Sequence, residues 1–341
     1  MIEYLKNKNI LWILLIFLIS LVFFVLPFLG LSNFVLRMLI MVGIYIILGL
    51  SLNLITGFTG QLSLGHAAFY GIGAYTSAIL STRYGMGFGI TAPLSGLMAA
   101  FLGFLLGIPT LKLQGAYLAI VTLGFGEIIR ITALNWMQLT RGPMGIPGIP
   151  AISIFGYELQ SNLGYYYVIC ILAMITVLLI SRIVNSRVGR AFMAIREDEL
   201  AAQYMGIYTT NYKILAFSMG AFLAGVAGSF YAHYVSYIDP QSFTFDESIQ
   251  ILSIVILGGM GSIPGTILGA AILVTAPELL RSLQDYRMVI YGLILILMML
   301  IRPQGILGGV RFTQRKGGEI QNDSFRGKEY QQAVWGSKSS R

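Results

Sequence analysis

The feature that most constrains the fold of this chain is a succession of apolar stretches separated by short polar segments. Most of the stretches are long enough for a helix of about 20 residues, which spans the hydrocarbon core of a bilayer. Of the 341 residues, 56% are hydrophobic and only 11% are charged, and the mean hydropathy is +0.78. Soluble domains are about 25% charged, so this chain cannot cover a water-facing surface. We expect an all-α integral membrane protein.

The pattern predicts about ten transmembrane helices. The first is retained rather than cleaved, because its apolar core is longer than that of a signal peptide and no small-residue cleavage site follows. Between the fifth and sixth spans, a cluster of Gly and Pro in Asn135–Leu163 forbids a helix. The predicted spans are Ile10–Leu29, Phe34–Ile55, His66–Ser81, Ile90–Ile108, Gly115–Leu134, Gly164–Ser181, Ile214–Tyr234, Ser248–Gly259, Pro264–Leu280 and Met288–Ile301.

The distribution of Lys and Arg predicts the orientation, because cytoplasmic loops carry an excess of these residues. With the N-terminus inside, sixteen basic residues lie on the cytoplasmic side and five on the outer side. Both termini are therefore predicted to be cytoplasmic, and the net charge of +8 reflects topology rather than a nucleic-acid partner. The membrane domain covers 1–301. The basic tail, 302–341, lacks apolar periodicity, and we expect it to be disordered near anionic headgroups; contact with a cytoplasmic partner is the alternative.

One long polar segment, Arg182–Lys213, interrupts the spans and falls on the cytoplasmic side. Its apolar residues recur at helical spacing. Asp198 is suited to cap a second short helix and Gly206 to end it. An amphipathic helix lying on the headgroups is one interpretation. The acidic run Glu197–Glu199 would be repelled by anionic lipid, which favours a helix pair that docks onto a protein.

Two glycine-rich stretches also interrupt the apolar pattern, Gly57–Gly73 before the polar segment and Gly258–Gly269 after it. Irregular backbone at membrane depth is tolerated only inside protein or along a cavity. Paired interrupted segments in two halves of a chain indicate a transport site. Close packing through small residues is the alternative, and it is favoured for Gly71 and Gly73. The candidate pathway residues are Gln61, Ser63, Gly65, His66, Tyr70, Gly258, Gly259 and Gly261.

Few residues of this chain can perform chemistry. With two His and a single Cys, Cys170, a metal site, an internal disulfide and a nucleophile–base set are not expected. A phosphate-binding loop needs Gly, four residues and then Gly-Lys-Ser/Thr. Arg326–Glu329 lacks the hydroxyl residue, and Asn322 stands where the first Gly belongs. We therefore expect neither an enzyme nor a bound cofactor.

Glu127 and Arg130 share a face of the fifth span. They are either an ion pair near the outer interface or a gate or substrate contact.

Several blocks follow one another between Gly57 and Gly309: GFTGQLSLGHAAFYGIGAYTSAIL, TRGPMGIPGIP, GRAFMAIREDELAAQYMGI, YKILAFSMGAFLAGVAGSFYA, ILGGMGSIPGTILGAAIL and IRPQGILGG. In this order they resemble the branched-chain amino-acid permeases of bacterial ABC importers, the LivM type. The resemblance implies the type II importer permease fold with pseudo-symmetric halves in a bacterial inner membrane. It also implies a second, heterodimeric permease subunit, an extracytoplasmic substrate-binding protein, and two ATPase subunits that hold the ATP and Mg²⁺.

The resemblance extends to one part of the polar segment, Ser186–Gly206. Ala201-Ala202 followed by Gly206 resembles the "EAA" signature by which such permeases seat on their ATPases, although Glu199 stands one place earlier than the strict pattern. Apolar side chains, including Met193 and Met205, would anchor the contact, and charged ones would set its register. The implied coupling residues are Gly189, Arg190, Phe192, Ile195, Arg196, Glu197, Asp198, Glu199, Ala201, Ala202 and Gly206.

The substrate expected from the resemblance is a branched aliphatic amino acid, namely leucine, isoleucine or valine. Urea, short amides or other amino acids are alternatives with the same architecture. A secondary transporter would explain the spans and the interrupted helices but not the cytoplasmic helix pair.

Overall fold

A computed structural model describes residues 32–110, 113, 115–154, 157–159, 161–279, 292, 296 and 305–307. The predicted first span and nearly all of the last span and the tail lie outside these residues. The α-helices are α1 (Asn33–Leu52), α2 (His66–Tyr84), α3 (Phe88–Thr110), α4 (Ala116–Asn135), α5 (Met137–Thr140), α6 (Asn162–Val184), α7 (Arg187–Glu197), α8 (Glu199–Tyr204), α9 (Thr209–Val235), α10 (Phe245–Gly258) and α11 (Ile263–Leu279). A π-helical turn, Asn53–Phe58, extends α1, and short 3₁₀ turns occupy Gly142–Met144 and Pro240–Phe243.

The predicted spans that fall on described residues are helical, as α1 to α4, α6 and α9 to α11. Within the described part of the chain, five helices are long and apolar enough to cross a membrane: α1 with its π turn, α3, α4, α6 and α9. Gly259–Ser262 separates α10 from α11, as predicted. At 14 residues, α10 is about 21 Å long, which is less than the thickness of a hydrocarbon core of about 30 Å.

Helix α9 lies at the centre of the described core and packs against α1, α2 and α3. Its contact with α2 depends on glycine, because a β-carbon at Gly73 would lie 2.2 Å from the carbonyl oxygen of Gly225. A β-carbon at Gly228 would lie 2.1 Å from the carbonyl oxygen of Tyr70. The two backbones touch directly, as in small-residue helix crossings. The packing interpretation of Gly73 is the one that the structure supports.

The loop Asn135–Leu163 contacts the loop Ser236–Glu247, which follows the seventh predicted span. Strand β1 (Ile146–Pro147) pairs antiparallel with β4 (Tyr237–Ile238), whereas β2 (Ser153–Ile154) pairs with its neighbour β3 (Tyr157–Glu158). The prediction that Asn135–Leu163 contains no helix was wrong at its start, where α5 forms before the first Gly of the cluster.

His233 is fully partnered, with Nδ1 2.7 Å from the carbonyl oxygen of Pro150 and Nε2 3.0 Å from the hydroxyl of Ser77.

Candidate functional site

The first glycine-rich stretch begins in the π turn and then runs in irregular, buried backbone up to the start of α2. At that point His66 Nε2 lies 2.6 Å from Ser51 Oγ on α1. Ser51 precedes the end of the π turn at Phe58 by seven residues, or about 10 Å along a helix axis. Helix α2 therefore starts beside the body of α1 rather than at its end, and most of the irregular backbone is buried, although Gly60 is exposed.

Three buried polar side chains of this stretch, Gln61, Ser63 and His66, each have an atom without a hydrogen-bond partner among the described residues. The atoms are Gln61 Nε2, Ser63 Oγ and His66 Nδ1. Ser51 gives its hydroxyl proton to the carbonyl of Leu48, so His66 donates through Nε2 and Nδ1 remains an acceptor. Buried polar atoms are nearly always satisfied by protein or water. The three atoms belong to one short segment between Gln61 and His66.

Two other pathway candidates in the same stretch make packing contacts. A β-carbon at Gly65 would lie 2.0 Å from the carbonyl oxygen of Thr122, so α4 approaches the backbone here. The ring of Tyr70 is buried against Tyr231 and Phe243, with ring centroids 5.4 and 5.2 Å away. Neither residue exposes a polar group to a channel in this conformation.

The second glycine-rich stretch is a tight helical corner. A β-carbon at Gly258 would lie 2.3 Å from the carbonyl oxygen of Gly265, so α10 and α11 meet backbone to backbone. Gly259 and Gly261 have φ values of 109° and 81°, a region that side-chain-bearing residues rarely adopt. The three glycines of this stretch that were predicted to line the pathway therefore shape the corner instead.

Asn53, which the sequence reasoning missed, joins the two stretches. Its Oδ1 accepts a hydrogen bond of 2.8 Å from the Gly261 amide, and its Nδ2 donates to Thr266 Oγ1 at 2.8 Å and to the Ser262 carbonyl at 3.2 Å. A β-carbon at Gly57 would collide with the same side chain, at 1.7 Å from Oδ1. The available signal was a lone amide in an apolar span, since buried polar groups in membranes require partners.

The polar segment folds as the predicted helix pair. Ser186 caps α7, the carboxylate of Asp198 accepts from the Ala201 amide at 3.0 Å to cap α8, and Gly206 follows α8 with a φ of 82°. A β-carbon at Gly189 would lie 2.2 Å from the carbonyl oxygen of Val184, so the corner between α6 and α7 needs glycine. The pair is held at a fixed angle to the spans.

The predicted apolar anchors of α7 face inward. Phe192 and Ile195 are buried, and Phe192 packs in a cluster with Phe58 of the π turn and Ile180 of α6. Ala202 of α8 is buried as well. These side chains attach the helix pair to the spans of the same chain, so the expectation that Phe192 and Ile195 lie on a docking surface is not met in this structure.

Two charges expected to set the register with a partner are used within the chain. Arg196 is largely exposed, but its Nη1 donates to the carbonyl of Gly57. A β-carbon at Gly60 or Gly261 would contact the Arg196 side chain, at 3.2 and 2.7 Å. One arginine of α7 thus touches both glycine-rich stretches. Glu199 pairs with Lys213 at the start of α9, both being largely buried.

Four apolar side chains in α8 and just after it are exposed, and we call them the docking patch: Leu200, Tyr204, Met205 and Tyr208, exposed by 64%, 89%, 82% and 80%. Sequence reasoning identified only Met205. Exposed clusters of this kind mark protein contacts. Arg190, Glu197, Asp198 and Ala201 are also exposed around them. The two tyrosines, aromatic residues in an otherwise polar segment, were the missed signal.

Glu127 and Arg130 form an ion pair on α4, with Arg130 Nε 3.1 and 3.0 Å from the two carboxylate oxygens and Nη2 also in contact. Their side chains are 39% and 22% exposed. The carboxylate borders a small, partly open cleft of about 20 Å³ between α4 and the N-terminal ends of α2 and α10. Within the described residues, no group of three His, Cys, Asp or Glu side chains is arranged to hold a metal ion.

Comparisons with known proteins agree with the architecture. Residues 34–299 match the family described as the permease component of branched-chain amino acid transport systems. The high-affinity branched-chain amino acid transport system permease protein LivM of Escherichia coli (strain K12) is 46% identical over 287 residues, and its Salmonella typhimurium counterpart is 44% identical. Each alignment covers 77% of this chain and 68% of the relative. LivH of Escherichia coli (strain K12), a permease protein of the same kind of system, is 27% identical over 77% of this chain and 91% of its own length.

No solved structure matches the chain. The family match nevertheless extends over more than half of the sequence, including both glycine-rich stretches, the helix pair and the ion pair of α4. The chain belongs to the family of permease components of branched-chain amino acid transport systems.

Proposed function

We propose that this chain is a permease subunit of a binding-protein-dependent ABC importer and forms the membrane pathway for leucine, isoleucine and valine. The observation that carries the proposal is the 46% identity to LivM over most of the chain. The weaker similarity to LivH supports pairing with a second, related permease in a heterodimer. The chain then spans a bacterial inner membrane about ten times in the type II importer fold, with pseudo-symmetric halves and both termini in the cytoplasm.

The energy source in this proposal is a pair of separate ATPase subunits, which bind the ATP and Mg²⁺. The docking patch supports this arrangement, because four exposed apolar side chains on a polar segment are suited to fill a cleft on a soluble partner. The exposed charges around it, Arg190, Glu197 and Asp198, then set the register of the contact. An extracytoplasmic binding protein delivers the substrate at the opposite ends of the spans.

Coupling follows a short physical route. A displacement of the docking patch moves α7, because α8 follows α7 with only Asp198 between them. Arg196 at the end of α7 pulls on the carbonyl of Gly57, and Asn53 passes the displacement to Gly261. Both glycine-rich stretches then move together, opening or closing the buried polar cluster around Gln61, Ser63 and His66.

The test is uptake into proteoliposomes that contain the purified permease pair with its ATPases and binding protein. Leucine, isoleucine and valine should each stimulate ATP hydrolysis and accumulate inside, whereas urea and acetamide should do neither. Uptake of urea or acetamide alone would favour the alternative substrates. Uptake driven by an ion gradient without ATPase subunits would favour a secondary transporter and refute the proposal.

The docking patch is tested by the double variant Tyr204→Ala/Tyr208→Ala. Loss of two aromatic anchors of an interface should weaken ATPase binding by at least about 2 kcal/mol, measured by co-purification of the subunits. Tyr84→Ala is the matched control, because Tyr84 is 69% exposed at the end of α2 that is predicted to lie outside. Normal ATPase binding by the double variant would remove the patch from the interface.

A further inference from the structure

We infer that the Glu127–Arg130 pair recognises the two charges of a zwitterionic α-amino acid, the ammonium group at Glu127 and the carboxylate at Arg130. The apolar wall beside Glu127 contacts the aliphatic side chain. This inference rests on the proposed function and names the residues that would give it its substrate class.

The position of the pair along α4 is the first argument. By the rise of a helix, Glu127 lies about 17 Å from the Ala116 end and about 12 Å from the Asn135 end. Charged side chains at such depth face the interior of a bundle or a water-filled cavity rather than lipid. Only 17% of the most apolar part of α4 is buried within this chain, and both charged groups keep part of their surface open. The pair therefore faces a water-filled space that α4 encloses together with another subunit.

A zwitterionic substrate can also replace the ion pair between Glu127 and Arg130 by two ion pairs of its own. Without substrate, the guanidinium and the carboxylate neutralise each other through several hydrogen bonds. A bound amino acid offers an ammonium to Glu127 and a carboxylate to Arg130, so two new ion pairs replace one and the total charge stays zero. The planar guanidinium is also the side chain best suited to bind a carboxylate through two hydrogen bonds. Urea and short amides carry no charges and cannot compensate for the separation of the pair.

The third argument is the cleft. It is partly open and, in this conformation, its free volume of about 20 Å³ has room for a single water molecule, so the substrate's side chain lies against its walls rather than inside it. Its walls are mainly apolar and come from three elements: Leu64 and Ala67 near the start of α2, Leu123 on α4, and Phe243 and Phe245 near the start of α10. Glu127 lies one helical turn from Leu123, so a substrate held at the carboxylate has its side chain beside this apolar wall.

The experiment uses the complete importer with its binding protein in proteoliposomes and follows uptake of labelled leucine. Glu127→Gln and Arg130→Gln should each reduce uptake about 10- to 100-fold, since each removes the charge that pairs with one end of the substrate. The swapped variant Glu127→Arg/Arg130→Glu keeps an ion pair on the same turn but reverses the two charges, and its uptake should remain low. Ile128→Ala, on an exposed face of α4, is the control and should import normally once assembly has been checked by co-purification.

Recovery of wild-type uptake by the swapped variant would mean that the pair only stabilises α4, and would overturn the inference. The cleft has a separate readout: Leu123→Ala enlarges it and should raise uptake of phenylalanine relative to leucine by about tenfold, by analogy with pockets that discriminate a few methylene groups. An unchanged ratio would overturn the assignment of the cleft. If the wild-type importer takes up no branched-chain amino acid, the proposed function itself fails, whereas normal leucine uptake by Glu127→Gln refutes this inference alone.

Discussion

Replacing Arg196 by glutamine tests the route from the helix pair to the membrane interior. In the structure, Arg196 Nη1 donates to the carbonyl of Gly57, and the side chain also lies against Gly60 and Gly261. Glutamine is shorter and uncharged, so it loses the bond while keeping a polar surface. A hydrogen bond to a charged group contributes about 1.5–3 kcal/mol, and the exposure of Arg196 places this one near the lower limit. Since about 1.4 kcal/mol is a factor of ten, substrate imported per ATP hydrolysed should fall roughly tenfold.

The assay is simultaneous measurement of leucine uptake and phosphate release in proteoliposomes, together with ATPase co-purification. Arg196→Gln should retain its ATPase subunits, because its guanidinium is turned towards its own chain. Arg190→Gln makes the same change of charge on the exposed side of α7 and should instead weaken ATPase binding without changing the uptake-to-hydrolysis ratio. Loss of ATPase binding in Arg196→Gln, with a normal ratio in the complexes that remain, would refute the internal role of this arginine.

Three further substitutions have outcomes that can be read as stability in detergent. Glu199→Gln leaves the buried ammonium of Lys213 without its negatively charged partner and should lower the free energy of unfolding by about 1–3 kcal/mol. The exchange Glu199→Lys/Lys213→Glu keeps an ion pair and should avoid most of this loss. Gly73→Ala places a methyl group 2.2 Å from the Gly225 carbonyl and should destabilise the α2–α9 contact by about 1–3 kcal/mol, seen as a lower thermal midpoint. Asn53→Leu leaves the part-buried amide of Gly261 without its acceptor and should cost about 1–3 kcal/mol, with faster proteolysis at the second glycine-rich stretch as the measurement.

Much of the helical organisation could be predicted from the sequence because it depends on local signals. Asp198 and Gly206 delimit α8 through a side-chain cap and a left-handed backbone conformation, and both effects involve only neighbouring residues. The spans were found in the same way, since apolar length is itself the signal for a membrane helix. Loops were predicted less well. The cluster of Gly and Pro after Asn135 begins only at Gly142, so it did not prevent the short helix α5 before it, and Gly142 and Pro143 themselves lie in a 3₁₀ turn.

The direction in which a side chain faces could not be predicted, because it depends on contacts between distant parts of the chain. The spacing of Phe192 and Ile195 predicts an apolar face on α7, but it does not say whether a partner or the protein's own spans cover that face. The answer depends on the corner at Gly189, which turns α7 back towards α6 and the π turn. The contacts of Arg196 and Glu199 could not be predicted for the same reason. Their partners, Gly57 and Lys213, are recognisable only in three dimensions.

The bridge made by Asn53 has a consequence for the order in which the protein is made. More than 200 residues separate Asn53 from Gly261 and Thr266, so the amide enters the membrane long before its partners have been synthesised. Until α11 is inserted, the π turn after α1 carries a polar group without these partners in an apolar environment, which is unfavourable. A chain terminated after α9 should therefore be degraded faster than the full chain. The hydrogen bonds of Asn53 are thus completed only when the second half of the chain has joined the first.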